Sequence, residues 1–343
     1  MKQRLDYIDV AKGIGILLVV WAHILVVGPS HKLIYAFHMP FFFFVSALLF
    51  KPAKYTSVVG LIKKRAKRLL LPYFLYSVAT WCIWAGFRYL RGDEVDSYMM
   101  PLLQTFIAQG SGAFIVHNSA LWFIPCLFVL EILFYFLCKL GMRNMIIASI
   151  AITALGCVMA HVWGNDYLMN MPWNFDAAVF ALPFYAIAYV LREKVGLAEL
   201  QEHIGKNVGL SIGAAIALFG AMTFFAFYYN ECSMGSSSYM CPMWVFFLRA
   251  FLGSFAMVIL TILICKVSGK GIFTKAMKWC GANSLDILCL HIPVKGIAVI
   301  LVAKLLHPAV DVSESAIYST IAFLITMTVL VPIIFAINKY IRN

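Results

Sequence analysis

The sequence predicts an all-α fold: a polytopic membrane bundle of about ten transmembrane helices with both termini cytoplasmic. Three observations predict it. Hydrophobic residues make up 63% of the 343 residues and charged ones only 12%, with a mean hydropathy of +0.89. A soluble domain runs near half apolar and about a quarter charged. Apolar runs long enough to cross a bilayer recur along the whole chain. Between them, basic residues fall on alternate connections.

The expected spans lie at about 8–27, 34–50, 72–90, 119–138, 146–164, 174–191, 208–229, 244–265, 285–306 and 316–337. The connections from odd to even spans hold Lys32 and Arg91. The termini and the even-to-odd connections hold twenty of the 27 Lys and Arg, among them Lys63, Lys64, Arg65, Lys67, Arg68, Lys275 and Lys278. Positive residues favour the cytoplasmic side, so this asymmetry places both ends inside. The net charge of +12 is therefore a topology signal rather than a sign of nucleic-acid binding. The longest expected non-spanning stretch, Arg91–Asn118, is too short for a soluble accessory domain, so residues 1–343 read as a single integral-membrane domain. The first span follows Lys2 and Arg4 like a signal peptide. No small-x-small cleavage site follows it, which predicts that it is retained.

Nine cysteines sit mostly inside apolar spans, where a free Cys behaves as a small hydrophobe. No CxxC or Cys/His spacing suggests a metal. Cys232 and Cys241 differ, because both lie in one outer connection. Either they pair, if that face is oxidising, or they stay free near two span ends.

The chemistry-bearing residues begin in the first span, Asp9-Val-Ala-Lys12-Gly13-Ile-Gly15-Ile-Leu-Leu-Val-Val-Trp-Ala-His23. Eleven residues are about three turns, so Lys12 and His23 share one helix face, roughly 16 Å apart. Ionisable residues inside a span are costly and are functional candidates by default. His38 opens the second span in Phe37-His38-Met39-Pro40. Counting from the short turn between the spans puts His23 and His38 at a similar depth near the outer side. Ser57–Leu71 reads as an interfacial helix with Val58, Leu61, Ile62 and Leu69 toward lipid, and its basic run Lys63–Arg68 suits phosphates, either lipid headgroups or a soluble polyanion.

Later elements add single residues. Trp122 opens the fourth span and reads as a belt aromatic. Asp176 opens the sixth, as a helix N-terminal anion or a partner for an outer His. Asn283 or Ser284 caps the ninth span. His291 follows about two turns in from the cytoplasmic side, shallower than His23 by counting. Lys295 needs a buried partner or a wet cavity, whereas Arg249 and Lys304 sit nearer span ends and snorkel.

Leu5-Asp6-Tyr7-Ile8-Asp9-Val-Ala-Lys12-Gly13 running to Trp21-Ala22-His23, then Phe37-His38-Met39-Pro40, Lys67-Arg68-Leu-Leu-Leu-Pro72-Tyr73, Leu121-Trp122-Phe123 and Ser284-Leu285 to His291 resemble the integral-membrane acyltransferase family 3. These are the membrane O-acyltransferases of bacterial surface glycans. The family's basic residue ahead of its His is commonly Arg. Lys12 here resembles the fucose 4-O-acetylase-like branch. Where many members read Ser-Gly after the second His, this chain has Ser46-Ala47.

The resemblance implies a ten-span layout with both ends inside and a multi-pass place in a bacterial inner (plasma) membrane. It implies transfer of an acyl group, usually acetyl, from cytoplasmic acyl-CoA to a hydroxyl of a glycan or lipid-linked sugar. The donor is acetyl-CoA or another acyl-CoA, membrane lipids surround the protein, and neither metal nor nucleic acid is needed. His23, Lys12 and His38 are then the catalytic candidates. Asp9, Arg65, Arg68, Trp122, Asp176 and His291 are the candidates for binding donor or acceptor. The residues themselves are compatible with this. CoA would meet the basic run and Lys12, its pantetheine arm would lie beside Gly13 and Gly15 where side chains are missing, and its thioester would approach His23. An imidazole there serves as a base or as a transient acyl carrier. The rival reading is a transporter or flippase of an amphiphilic substrate, with the charged residues lining an alternating-access path.

Overall fold

The computed structural model describes residues 5–108, 115–163, 171–235, 238–269 and 271–340. Among them ten helical stretches are long and apolar enough to cross a membrane: Asp6–Ile24, Pro29–Leu49, Val58–Arg91, Ser119–Cys138, Met142–Val162, Pro172–Lys194, Val208–Tyr228, Met243–Ser268, Ser284–Leu306 and Ala316–Tyr340. Each overlaps one expected span. The chain divides into two compact units: Met1–Val45 with Val195–Glu231 and Trp244–Asn343, and Ser46–Lys194 with Cys232–Met243.

The first unit is built on α1 (Asp6–Ile24), followed by α2 (Pro29–Tyr35) and the start of α3 (His38–Leu49). Gly28, at φ 92°, ends the turn that reverses the chain after α1, a conformation that costs glycine little. Its other helices, in the numbering used below, are α10 (Leu197–Lys206), α11 (Val208–Tyr228), α12 (Met243–Ser268), α13 (Ile272–Ala282), α14 (Ser284–Leu306) and α15 (Ala316–Tyr340).

The tightest packing in this unit is between α1 and the short α13. A Cβ on Gly13 would sit 2.0 Å from the Met277 carbonyl oxygen, and one on Gly281 would sit 1.8 Å from the Asp9 carbonyl oxygen. The two backbones touch because both residues lack side chains, as small residues allow in membrane helix pairs. The space beside Gly13 expected to take a pantetheine arm is thus filled by α13. At Gly15 the rings of Phe41 and Phe42 stand 3.1–3.2 Å from where a Cβ would be, so that side of α1 is occupied as well. Asn283 does not cap α14 with its side chain. Its amide instead donates to the Trp279 carbonyl oxygen and accepts from the Asn338 amide, both at 2.8 Å.

The second unit contains α4 (Val58–Arg65), a π turn over Ala66–Leu70, α5 (Leu71–Arg91), α6 (Met100–Ile107), α7 (Phe123–Cys138), α8 (Met142–Trp163) and α9 (Phe175–Lys194). A short hairpin pairs Cys232–Ser233 with Ser238–Tyr239. Cys232 and Cys241 form a disulfide across it, which settles the alternative left open by the sequence. The π turn has a local cause. Pro72 has no N–H to return to the carbonyl of Arg68, and its ring crowds that carbonyl. Leu61 is fully buried and Leu69 is buried too, so neither faces lipid as expected. With Arg65 they form one inward stripe at four-residue spacing, while Ile62, Lys63, Lys64, Lys67 and Arg68 are exposed.

Candidate active site

The first unit brings His23 and His291 into contact. His23 Nδ1 lies 2.9 Å from His291 Nε2, with ring centroids 5.0 Å apart. Counting depth from the membrane surface had set His291 shallower. The difference comes from α13, which tucks against α1 before α14 begins. Gly281 lies against the backbone nitrogen of Gly13, and each histidine follows ten residues later, about 15 Å up a roughly parallel helix.

The hydrogen bonds fix which nitrogen of His23 is basic. His291 Nδ1 lies 3.1 Å from the Ile287 carbonyl oxygen and 2.8 Å from that of Leu288. Carbonyls only accept, so Nδ1 of His291 carries the hydrogen and its Nε2 is the acceptor. The bond to His23 is then donated by His23 Nδ1–H, which leaves the lone pair of His23 on Nε2. His23 is half-buried, and Nε2 is its nitrogen with a lone pair to offer. Lys295, one turn beyond His291, donates from Nζ to the backbone oxygen of His23 at 2.6 Å. This is the buried partner its position demanded. It also satisfies one of the carbonyls that α1 leaves unpaired at its C-terminus, where a cation is favourable.

His38 is buried and donates from Nδ1 to the Ile34 carbonyl oxygen at 2.8 Å. Its Nε2, too, is left as the acceptor. His38 and His31 both lie near enough to act electrostatically on His23. Tyr35 stacks on His31 with centroids 4.1 Å apart and leans on His38 at 4.9 Å. His31 reaches Glu231 at 3.3 Å. Lys12 pairs with Asp9 at 3.3 Å, its side chain 23% exposed. The two residues singled out separately on α1 therefore form one ion pair.

Arg249 does not snorkel. It is 1% exposed and donates from Nη1 to the Asn230 carbonyl oxygen at 3.0 Å, just past the end of α11. Lys304 is exposed, as expected. At the opposite end of α1, about 25 Å from His23 along the helix, a cleft of about 560 Å³ is lined by Asp6, Gln201, Glu202, Lys206 and Lys266. It includes no histidine.

In the second unit Arg65 forms an ion pair with Glu131, Nε to Oε2 2.7 Å, the two side chains 11% and 3% exposed. Arg68 points to the exposed side of the π turn. Trp122 is buried rather than belted. It packs on Gly235 of the disulfide hairpin, where a Cβ would fall 2.5 Å from its Nε1. Asp176 is buried at the start of α9 and acts electrostatically on Tyr239 of the hairpin and on Cys126. Just ahead of the turn into α7, His117 is buried with neither ring nitrogen hydrogen-bonded to a described residue. Burial holds it near a pKa of about 4, below the usual 6.5.

Sequence reasoning missed Glu131. The signal was present, since it is the lone charge in the apolar run of α7 and an intramembrane acid is a functional candidate on the same ground as Lys12. Among the described residues no group of His, Cys, Asp and Glu is arranged to hold a metal ion.

Residues 5–337 match the family model described as an acyltransferase domain. No curated protein and no solved structure matches the chain.

Proposed function

Since the chain belongs to the membrane acyltransferase family 3, we propose that it is an O-acetyltransferase. Its donor is cytoplasmic acetyl-CoA, and its acceptor is a hydroxyl of a cell-surface glycan or of that glycan's lipid-linked precursor. The observation that carries this reading is the His23–His291 contact at 2.9 Å, with His291 held at its other nitrogen by two backbone carbonyls. A histidine locked in one tautomer by a second group, with its outer nitrogen open, is the arrangement a general base needs.

In this mechanism Nε2 of His23 takes the proton of the acceptor hydroxyl as the oxygen attacks the thioester carbonyl. The carbon–sulfur bond breaks, and the proton passes to the departing CoA thiolate. His291 accepts the Nδ1–H bond throughout and steadies the imidazolium that forms. Lys295 fixes the end of α1 on which His23 sits. Lys12 and Asp9 supply a paired charge lower on α1, and Arg68 with its lysine neighbours offers the donor's phosphates a basic surface. In a cell, the basic connections lie inside and the His23 end of α1 lies toward the outer face of a bacterial inner membrane.

The test is acetyl transfer by purified protein in detergent or vesicles, with thioester cleavage followed alongside. His23→Ala should lower turnover by about 10²- to 10⁴-fold in protein that still inserts and folds. His291→Phe keeps the ring volume and removes the acceptor for His23 Nδ1–H, so it should lower turnover while leaving the KM for donor unchanged. Wild-type turnover by His23→Ala would move the chemistry elsewhere.

A further inference from the structure

The ion pair inside the second unit has a feature that a plain structural salt bridge does not require. Glu131 is the lone charged residue of α7, and its carboxylate divides between two neighbours. Oε2 lies 2.7 Å from Arg65 Nε, and Oε1 accepts from the hydroxyl of Tyr185, which is fully buried, at 3.4 Å. The Phe50 ring supports the guanidinium from below, 5.6 Å from its centre, and that ring in turn packs on Tyr185 with centroids 5.7 Å apart. The contact to Glu131 engages the Nε side of Arg65. It is an ion pair without an aligned hydrogen bond; the Arg65 side chain still reaches the surface at 11% exposure, and its paired Nη edge is the fork that suits phosphate oxygens.

Charge and backbone agree. Arg68 is near enough to act electrostatically on Glu131 but pairs with it directly nowhere, so two guanidiniums stand near one carboxylate and the cluster keeps a net positive charge. The π turn over Ala66–Leu70 starts just after Arg65 and carries Arg68 within it, and such turns recur at functional sites. It turns Arg68 outward while Leu69 stays buried.

We propose that Glu131 is a positioning residue for the donor: with Tyr185 behind it, it aims the Nη edge of Arg65 so that Arg65 and Arg68 together take the phosphates of CoA. This rests on the acyl-CoA reading above.

The experiment measures CoA affinity by calorimetry on the full-length protein in detergent, together with donor and acceptor KM, kcat and the melting temperature. The informative variant replaces the pair by apolar residues, Arg65→Met with Glu131→Leu. Replacing a buried ion pair in this way is commonly neutral or stabilising, so this protein should melt no lower than wild type. Its CoA affinity should nevertheless fall by about 10- to 100-fold, the range for a lost charge-assisted contact. Wild-type affinity in that variant would show the pair to be structural only and overturn the proposal.

Tyr185→Phe is the gentler variant and is isosteric. It should raise donor KM severalfold with kcat and acceptor KM unchanged. A fall in kcat at constant donor KM would count against aiming. Glu131→Asp keeps the charge and should recover part of the affinity lost in Glu131→Gln. Equal loss in both would also overturn the proposal. If wild-type protein bound no CoA, the donor reading itself would fail, and the calorimetry shows that before any variant is made.

Discussion

At the scale of single residues, α1 carries two charged devices rather than one continuous track. Near its start Asp9 is buried and is paired with Lys12 at 3.3 Å. Removing one partner of such a pair leaves the other charge uncompensated in low dielectric, typically at a cost of about 3–5 kcal/mol. Lys12→Ala should therefore lower both the melting temperature and turnover, whereas Lys12→Arg keeps charge and reach and should retain substantial activity. Asp9→Asn with Lys12→Gln separates the two effects, since no bare charge remains. Stability restored without activity would place Lys12 in the chemistry, and stability and activity restored together would make the pair a structural one. At the other end His23 depends on residues far along the chain, because His291 and Lys295 hold its ring and its carbonyl.

Element packing explains why those distant residues arrive at the right height. The backbones of α1 and α13 touch at Gly13 and Gly281, and this contact sets the level from which α14 climbs to His291. A methyl group at residue 281 cannot be accommodated 1.8 Å from the Asp9 carbonyl oxygen without moving one helix. Gly281→Ala should cost at least about 1–3 kcal/mol, the usual range for overpacking, and should lower turnover by parting His23 from His291. Full activity and an unchanged melting temperature would show that α13 does not set this register. In the second unit the segment leading into α7 carries a pH signal. His117 takes up a proton near pH 6.5 in the unfolded chain but only near 4 when folded. Between those values the unfolded chain binds more protons, so stability falls as pH drops through the window, by up to about 3 kcal/mol. His117→Phe should flatten that part of the melting-temperature profile between pH 7 and 4, and an unaltered slope would assign it to other groups.

Over the whole molecule, the ten spans were legible because each is a long apolar run bounded by basic residues or turns. The motif residues of α1 were legible because charge inside such a run stands out. The meeting of His23 with His291 was not, since it depends on where α13 tucks in, and counting residues from a presumed membrane surface misses that. Glu131 was overlooked among the aromatics around it, and Arg249 was assigned to the interface because its distance to a span end says nothing of which way it points. We propose the sidedness of the chain on two separate grounds. Twenty of the 27 basic residues lie on the termini and the even-to-odd connections. The disulfide Cys232–Cys241 lies in the connection after the seventh span, which falls on the other side, and disulfides persist in oxidising compartments. Reporter fusions after Asp96 and Ser313 should therefore report outside the cytoplasm, and fusions after Ala53 and Gly271 inside. Blocking free thiols in intact cells with an impermeant maleimide, then reducing, should newly expose Cys232 and Cys241 to the same reagent. A cytoplasmic signal at Ser313 together with unreactive cysteines after reduction would reverse the orientation. It would then place the open nitrogen of His23 on the donor's side of the membrane rather than the acceptor's.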